Sequence, residues 1–327
     1  MLEEMPGGFE KMAAYFGERA KGGVGMIITG GIAPNEVGLP TPGLAKLSTP
    51  EEAAQHRIVT ERVHAIAPDC KICMQILHVG RYAYHPNLVA PSPIRARISP
   101  CVPNELTEEK IWEQIHDFVN CAVLAQQAGY DGVEVIGSAG YLISEFLVTH
   151  TNHRSGGWGG AYENRMRFPL EVFAAVRAVF DGPLGVRVSA TDWVEGGWDG
   201  QQTAEFSRQL KALGCNFMHV STAGVSPQQK ITIGPGYQVP YAREVKKACG
   251  LPTTAVGLIT DPKQAEDILQ AGDADLIAIA RALLYKPRWP WEAAAALNGQ
   301  VTASAPYWRC LPRQAQAIFG NVRIGQR

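Results

Sequence analysis

Gln75 lies inside the apolar run KICMQIL and Arg187 inside LGVRVS. A polar side chain in such a run is costly to bury unless something hydrogen-bonds to it. Two readings are open for each: a group facing a bound ligand, or a satisfied core or outward-facing group. Tyr141 stands just past a third β-rich run, GVEVIG, where a phenol could donate a proton. A buried tyrosine bonding a neighbour is the alternative. Two late runs end in VGLIT and IARALL. Such strand-to-helix turns can hold a phosphate on backbone N–H groups, and Arg281 could add a charge-assisted fork or merely form a surface ion pair. The segments TGGIAPNEVG and HVGRYAYHPN set small residues beside polar ones, which suits close approach to a flat ligand and equally suits ordinary turns.

These residues need elements to position them. Seven β-rich runs recur, around Ile27, Gln75, Glu134, Arg187, His219, Val256 and Ile277, each bounded by Gly, Pro or Asp. Helical patterns lie between them, at 107–129, 162–179, 203–213, 241–248 and 262–271. Strands fed by intervening helices pair in parallel, because a parallel neighbour requires a crossover connection. The expectation is an α/β protein with one domain over 1–327, a (β/α)8 TIM barrel, and a tail at 300–327 that packs at a subunit interface. Such a barrel has eight strands, and this chain opens on a helical segment, Gly8 to Lys21, so the first strand is expected to be absent from the sequence. A doubly wound open sheet would accept seven strands, but no G-x-G-x-x-G follows an early one.

Composition narrows the partners. A formal charge of −1, with Lys and Arg spread along the chain, gives no footprint for nucleic acid or anionic lipid, so a small molecule is the expected partner. No apolar stretch approaches the length of a membrane span, and the start, MLEEMPGGFEKM, is acidic where a signal peptide would be basic. Seven cysteines, an odd count, suit a reducing compartment, and a cytoplasmic protein is expected. Cys70 and Cys73 form a CxxC, but in an extended run residues three apart point to opposite faces, so no metal site is expected.

Taken together, the motifs resemble the old yellow enzyme family from near Leu2 to about Glu292. The stretches QILHVGR, VAPSP, GYLISEFL, the Asn152 to Phe168 pattern, RVSATDW and AVGLIT carry the resemblance. The first half is most similar to the flavin domain of bacterial 2,4-dienoyl-CoA reductases, and the segment from GPGYQVP to RWPWEAA to short single-domain ene-reductases. The resemblance implies FMN across the top of the barrel, reduced by NADH or NADPH, with hydride passing from N5 to the β-carbon of an activated alkene. It implies that Gln75 bonds the flavin ring, Arg187 offsets charge at N1, and Gly31 lies against the isoalloxazine edge. Gly257, Ala280 and Arg281 would take the phosphate, and Tyr141 would protonate the α-carbon. A reduced flavin needs a fixed cation, and hydride transfer needs orientation, so these roles agree with the residue types.

The sequence departs from the family at four places. Ile136 and Ala139 stand where most members carry a His-His or His-Asn pair for the substrate carbonyl, and TAGVSPQQKITI carries no histidine either. Ser138, Gln228 and Gln229 are the polar substitutes. Gly156 replaces an acidic residue. Only Cys310 follows the barrel, so no iron-sulfur cluster is expected, and Tyr307 to Arg309 resembles a segment that some members lend to a neighbouring subunit, which makes Arg309 a candidate across a homo-oligomer interface. Finally, the strand that would supply one flavin wall does not precede MLEE. Three functions compete: an FMN-dependent ene-reductase, a flavin-dependent amine N-demethylase on the same barrel, and a truncated barrel that binds flavin weakly or is inactive.

Overall fold

A computed structural model describes residues 5–310, 313–320 and 322. Seven strands form one parallel sheet in chain order: β1 (Met26–Ile32), β2 (Lys71–Ile76), β3 (Gly132–Gly137), β4 (Leu184–Ser189), β5 (Phe217–Ser221), β6 (Thr253–Ala255) and β7 (Leu276–Ile277). All seven coincide with the runs read from the sequence. Helices precede, link and follow them: α1 (Gly8–Lys21), α2 (Pro50–Ile66), α3 (Glu108–Gln127), α4 (Leu142–Leu147), α5 (Tyr162–Arg177), α6 (Gly200–Ala212), α7 (Val239–Cys249), α8 (Pro262–Gln270), α9 (Arg281–Tyr285) and α10 (Trp289–Ala296). This is the strand-helix succession of a TIM barrel, curled but not closed. Strands β1 and β7 stand at the two ends of the sheet and do not pair with each other.

Local chemistry explains most boundaries. Thr49 and Glu52 form a reciprocal capping box at the start of α2, and Asp199 and Gln202 do the same for α6, each satisfying two backbone donors that a helix start leaves open. The apolar period of α2 is weak in the sequence because its buried face is broken by polar residues. His56 Nδ1 bonds the Tyr130 hydroxyl at 2.9 Å, and Thr60 donates to the Ala128 carbonyl at 2.6 Å. Those bonds let two polar groups occupy core positions, and they hide the apolar period on which helix recognition depends.

The main core lies between the sheet and its helices. Phe118, Phe146, Phe168, Phe173, Phe180 and Phe206 are among its largest fully buried side chains. The described part of the tail packs on α10, where Trp291 meets Ile318 and Phe319, and the Val301 N–H donates to the Ile318 carbonyl at 2.7 Å. No described helix is long and apolar enough to cross a membrane.

Candidate functional site

In a parallel sheet, registered residues share a face. Gln75 registers with Glu134, and Ile136 with Arg187, which registers in turn with His219 and then Thr254. The barrel interior thus carries a row of polar side chains contributed by five successive strands. Gln75 Nε2 donates to Glu134 Oε1 at 2.6 Å, and His219 Nδ1 lies 2.8 Å from Glu134 Oε2. Both carboxylate oxygens are therefore engaged. Burial pushes the Glu134 carboxyl upward, but the charge and hydrogen bond of His219, the charge of Arg187 and the Gln75 amide outweigh it, so the group lies below the usual carboxylate value and is ionised.

The structure thus unites Gln75 and Arg187, the polar residues of two apolar runs, through Glu134, the polar residue of a third. Glu134 and His219 obey the same signal, a lone polar residue in GVEVIG and in FMHVS. Applied evenly, that rule would have found all four.

Tyr141 caps α4 just beyond the end of β3. Its phenol, like any tyrosine, holds its proton at neutral pH, and burial raises it further above the usual value, with the Arg187 charge opposing. Its ring meets Tyr82 edge-on, with centroids 6.1 Å apart. The Tyr82 hydroxyl donates to the Gly224 carbonyl. Here two strand-end loops touch backbone to backbone: a side chain at Gly140 would overlap the Gly224 carbonyl, and one at Gly224 would overlap the backbone of Ala139. Ala139 and Ala223 both take left-handed backbone, at φ 61° and 70°, to allow that contact. Ser189 bridges the loops, accepting from the Ala139 N–H at 3.0 Å and donating to the Ala223 carbonyl at 2.7 Å.

Behind this contact lies a second buried carboxyl. Glu145 accepts the Arg81 backbone N–H at 2.9 Å, while Arg81 Nη2 donates to the Val225 carbonyl at 2.6 Å. Burial drives the Glu145 carboxyl up to about 8, with the Arg81 charge and N–H opposing. It is thus neutral near pH 7 and serves to hold the HVGR loop.

The remaining candidates are spread around the strand ends. Gly31 registers with Gln75, and the side chain of Leu77 fills the place where a Gly31 side chain would stand, so that packing accounts for the glycine. Gly257 follows β6 with φ 116°, beside Gln238. Ala280 and Arg281 are exposed at the start of α9, and β7 pairs with β6, which brings them to the strand end adjoining Gly257. Ser138 is fully buried. Gln228 is exposed, and it is Gln229 whose side chain ties the loop, accepting the Gly224 N–H at 2.9 Å. Arg309 is exposed and lies in the tail, away from this row in sequence.

Four buried polar atoms on or beside the row have no hydrogen-bond partner among the described residues: Arg187 Nε, His219 Nε2, Thr254 Oγ1 and Ser138 Oγ. Native interiors rarely leave such groups unmatched, so the arrangement suits a polar ligand beside this row. Among the described residues no cluster could hold a metal ion.

A parallel strand-helix barrel that carries Arg187 and the Glu134-bonded Gln75 amide in its interior, with the Tyr141 phenol past a strand end, is compatible with a flavin site. The chain belongs to the NADH:flavin oxidoreductase / NADH oxidase family, whose model matches residues 1–300. It is 42% identical over 240 residues to an NADPH dehydrogenase of a Geobacillus species, covering 73% of this chain and 70% of that protein. It is 38% identical over 297 residues to the NADPH dehydrogenase of Bacillus subtilis, covering 90% and 87%. Among solved structures, morphinone reductase superposes with a TM-score of 0.77 at 26% identity, over 94% of this chain and 85% of that one. The old yellow enzyme homologue of Zymomonas mobilis gives 0.76 at 25%, over 96% and 90%. The protein is an FMN-dependent NAD(P)H oxidoreductase of the old yellow enzyme family.

Proposed function

We propose that this enzyme reduces the activated C=C bond of an α,β-unsaturated carbonyl or enoyl compound. The observation that carries the reading is Tyr141: a half-buried, protonated phenol just past the end of β3 and within electrostatic reach of Arg187. When bound, FMN supplies a carrier that takes two electrons from NAD(P)H and passes them to the alkene. Gln75 and Arg187 would orient the ring and offset negative charge, Gly31 would leave room beside it, and Gly257, Ala280 and Arg281 would hold the phosphate. Tyr141 gives its proton to the α-carbon as the β-carbon takes hydride, which saturates the bond.

Carbonyl recognition falls to other groups than imidazole. Ile136 shares the face of Arg187 and Ala139 is committed to the loop contact, so the buried, unpartnered Ser138 hydroxyl is the donor we assign to the carbonyl, with Gln228 at the outer rim. Similar solved structures include proteins named as reductases of morphinone and of 2-naphthoyl-CoA, at 26% and 28% identity, which supports reduction, while one named histamine dehydrogenase, at 22%, shares the fold alone. We place the enzyme in the cytoplasm, which suits its seven free cysteines. We further propose that it forms a homo-oligomer in which the tail, through Arg309, meets a neighbouring copy.

The test is spectroscopic. Purified protein loaded with FMN should bleach anaerobically with NADH or NADPH and regain colour with 2-cyclohexenone. Tyr141→Phe should slow the alkene-dependent step by about 10²–10⁴ and leave bleaching near the wild-type rate. Bleaching with no response to any enone, together with formaldehyde release from N-methylamines, would replace this reading with N-demethylation.

A further inference from the structure

Glu134 is fully buried in the barrel interior, yet it is neither at the strand end nor in contact with solvent. Its bonds explain its presence. A carboxylate only accepts hydrogen bonds, so it selects one face of the Gln75 amide: Nε2 turns toward Glu134, and the amide oxygen with the second N–H is left for other partners. The opposite amide orientation would set two oxygens against each other. On its other side Glu134 reaches past β4 to His219 on β5. The intervening residue in register is Gly185, which has no side chain to stand between them, and the Phe217 ring fills the space a side chain there would need. The charged group Arg187 also faces this carboxylate, and its charge helps hold Glu134 ionised.

We infer that Glu134, supported by His219, is a positioning residue that fixes the orientation of Gln75 and supplies a buried negative charge behind Arg187, and that it thereby sets both the affinity for FMN and the reduction potential of the bound cofactor. The inference rests on the assignment of Gln75 and Arg187 to the flavin ring. Its two effects have opposite signs. Loss of Glu134 frees the Gln75 amide to rotate, which weakens oxidised FMN. It also removes a negative charge that opposes the charge placed on the ring by reduction, which favours the reduced form. Damage to the fold would weaken both forms alike.

The experiment compares wild type, Glu134→Gln, Gln75→Leu and the double variant, each titrated with FMN by fluorescence quenching and poised against redox dyes. Glu134→Gln should weaken oxidised FMN about tenfold and raise the midpoint potential by about 30 mV, the equivalent of a tenfold change for a two-electron couple. The double variant should bind oxidised FMN no more weakly than Gln75→Leu alone, because one act is removed twice, while keeping the raised potential. Additive losses, or a potential equal to that of wild type, would overturn the inference while leaving the FMN assignment intact. Failure of wild type to bind FMN at all would overturn both. Should Glu134→Gln not fold, His219→Asn serves in its place. It weakens the support of the carboxylate without removing it, and should shift affinity and potential in the same directions by smaller amounts; no shift in either would overturn the inference.

Discussion

Strands β3 and β7 belong to one sheet and meet different surroundings. Every residue of β3 is buried, and none of β7 is. Leu276 makes the difference concrete. It registers with Thr254, which is 1% exposed, so both face the interior, yet Leu276 is 41% exposed. An inward apolar side chain meets solvent there because, among the described residues, no strand pairs with the outer side of β7. The site divides along the same line. Gln75, Glu134 and His219 lie on covered strands, with Arg187 half-buried among them, where charges act at short range with little screening. Ala280 and Arg281 are exposed beside the open end, where water and salt weaken any single charge. The two halves of the proposed ligand site therefore obey different electrostatics.

Three measurements would break or sharpen this contrast. The largest effect is on packing: Leu184→Ala, at a fully buried position of β4, should cost about 2–5 kcal/mol in urea unfolding, and Leu276→Ala within about 0.5 kcal/mol. Equal costs would show that β7 is as well covered as β4. Next comes charge. Arg187→Met should weaken FMN by about 2–3 kcal/mol, and Arg281→Met by less than about 1 kcal/mol and only at low salt, both read by FMN titration at two ionic strengths. An Arg281 effect as large as that of Arg187 and indifferent to salt would place the exposed end in a closed environment.

The smallest effect is on pH. The Glu145 carboxyl lies at about 8 in the folded chain against an ordinary 4.5, so between these values the folded state holds a proton that the unfolded state has released. Stability from this group is present in full below 4.5 and falls as pH rises to about 8, with a slope of up to about 1.4 kcal/mol per pH unit. His56 and His78, lowered by burial to about 4 and about 3, act in the opposite sense and only below about 6.5, so denaturant melts between pH 6.5 and 8 isolate Glu145. Glu145→Gln should flatten that slope, and a slope unchanged by the substitution would assign it to another group.

Much of the fold is legible in the sequence because parallel strands covered on both faces read as short apolar runs, and all seven strands, the open-ended β7 included, have such a run. The helix α2 escaped because His56 and Thr60 satisfy themselves on distant partners, Tyr130 and Ala128, which no local period reveals. The site was half legible. Gln75 and Arg187 stood out as polar residues in apolar runs, and the late turns at Gly257 and Ala280 stood out by their place after strands. What each residue does to the others was not legible. Glu134 and His219 are 85 positions apart in the chain, and their contact depends on sheet register and on a glycine in the strand between them.

The sequence by itself determined the order of strands and helices, and through it the parallel barrel, because apolar run length, turn residues and crossover requirements are properties of neighbouring residues. Only the tertiary structure decided that one buried carboxylate joins Gln75, Arg187 and His219. Such a link arises from side chains on different strands brought to one face, and the energy that keeps a charge ionised there comes from partners that chain distance does not encode.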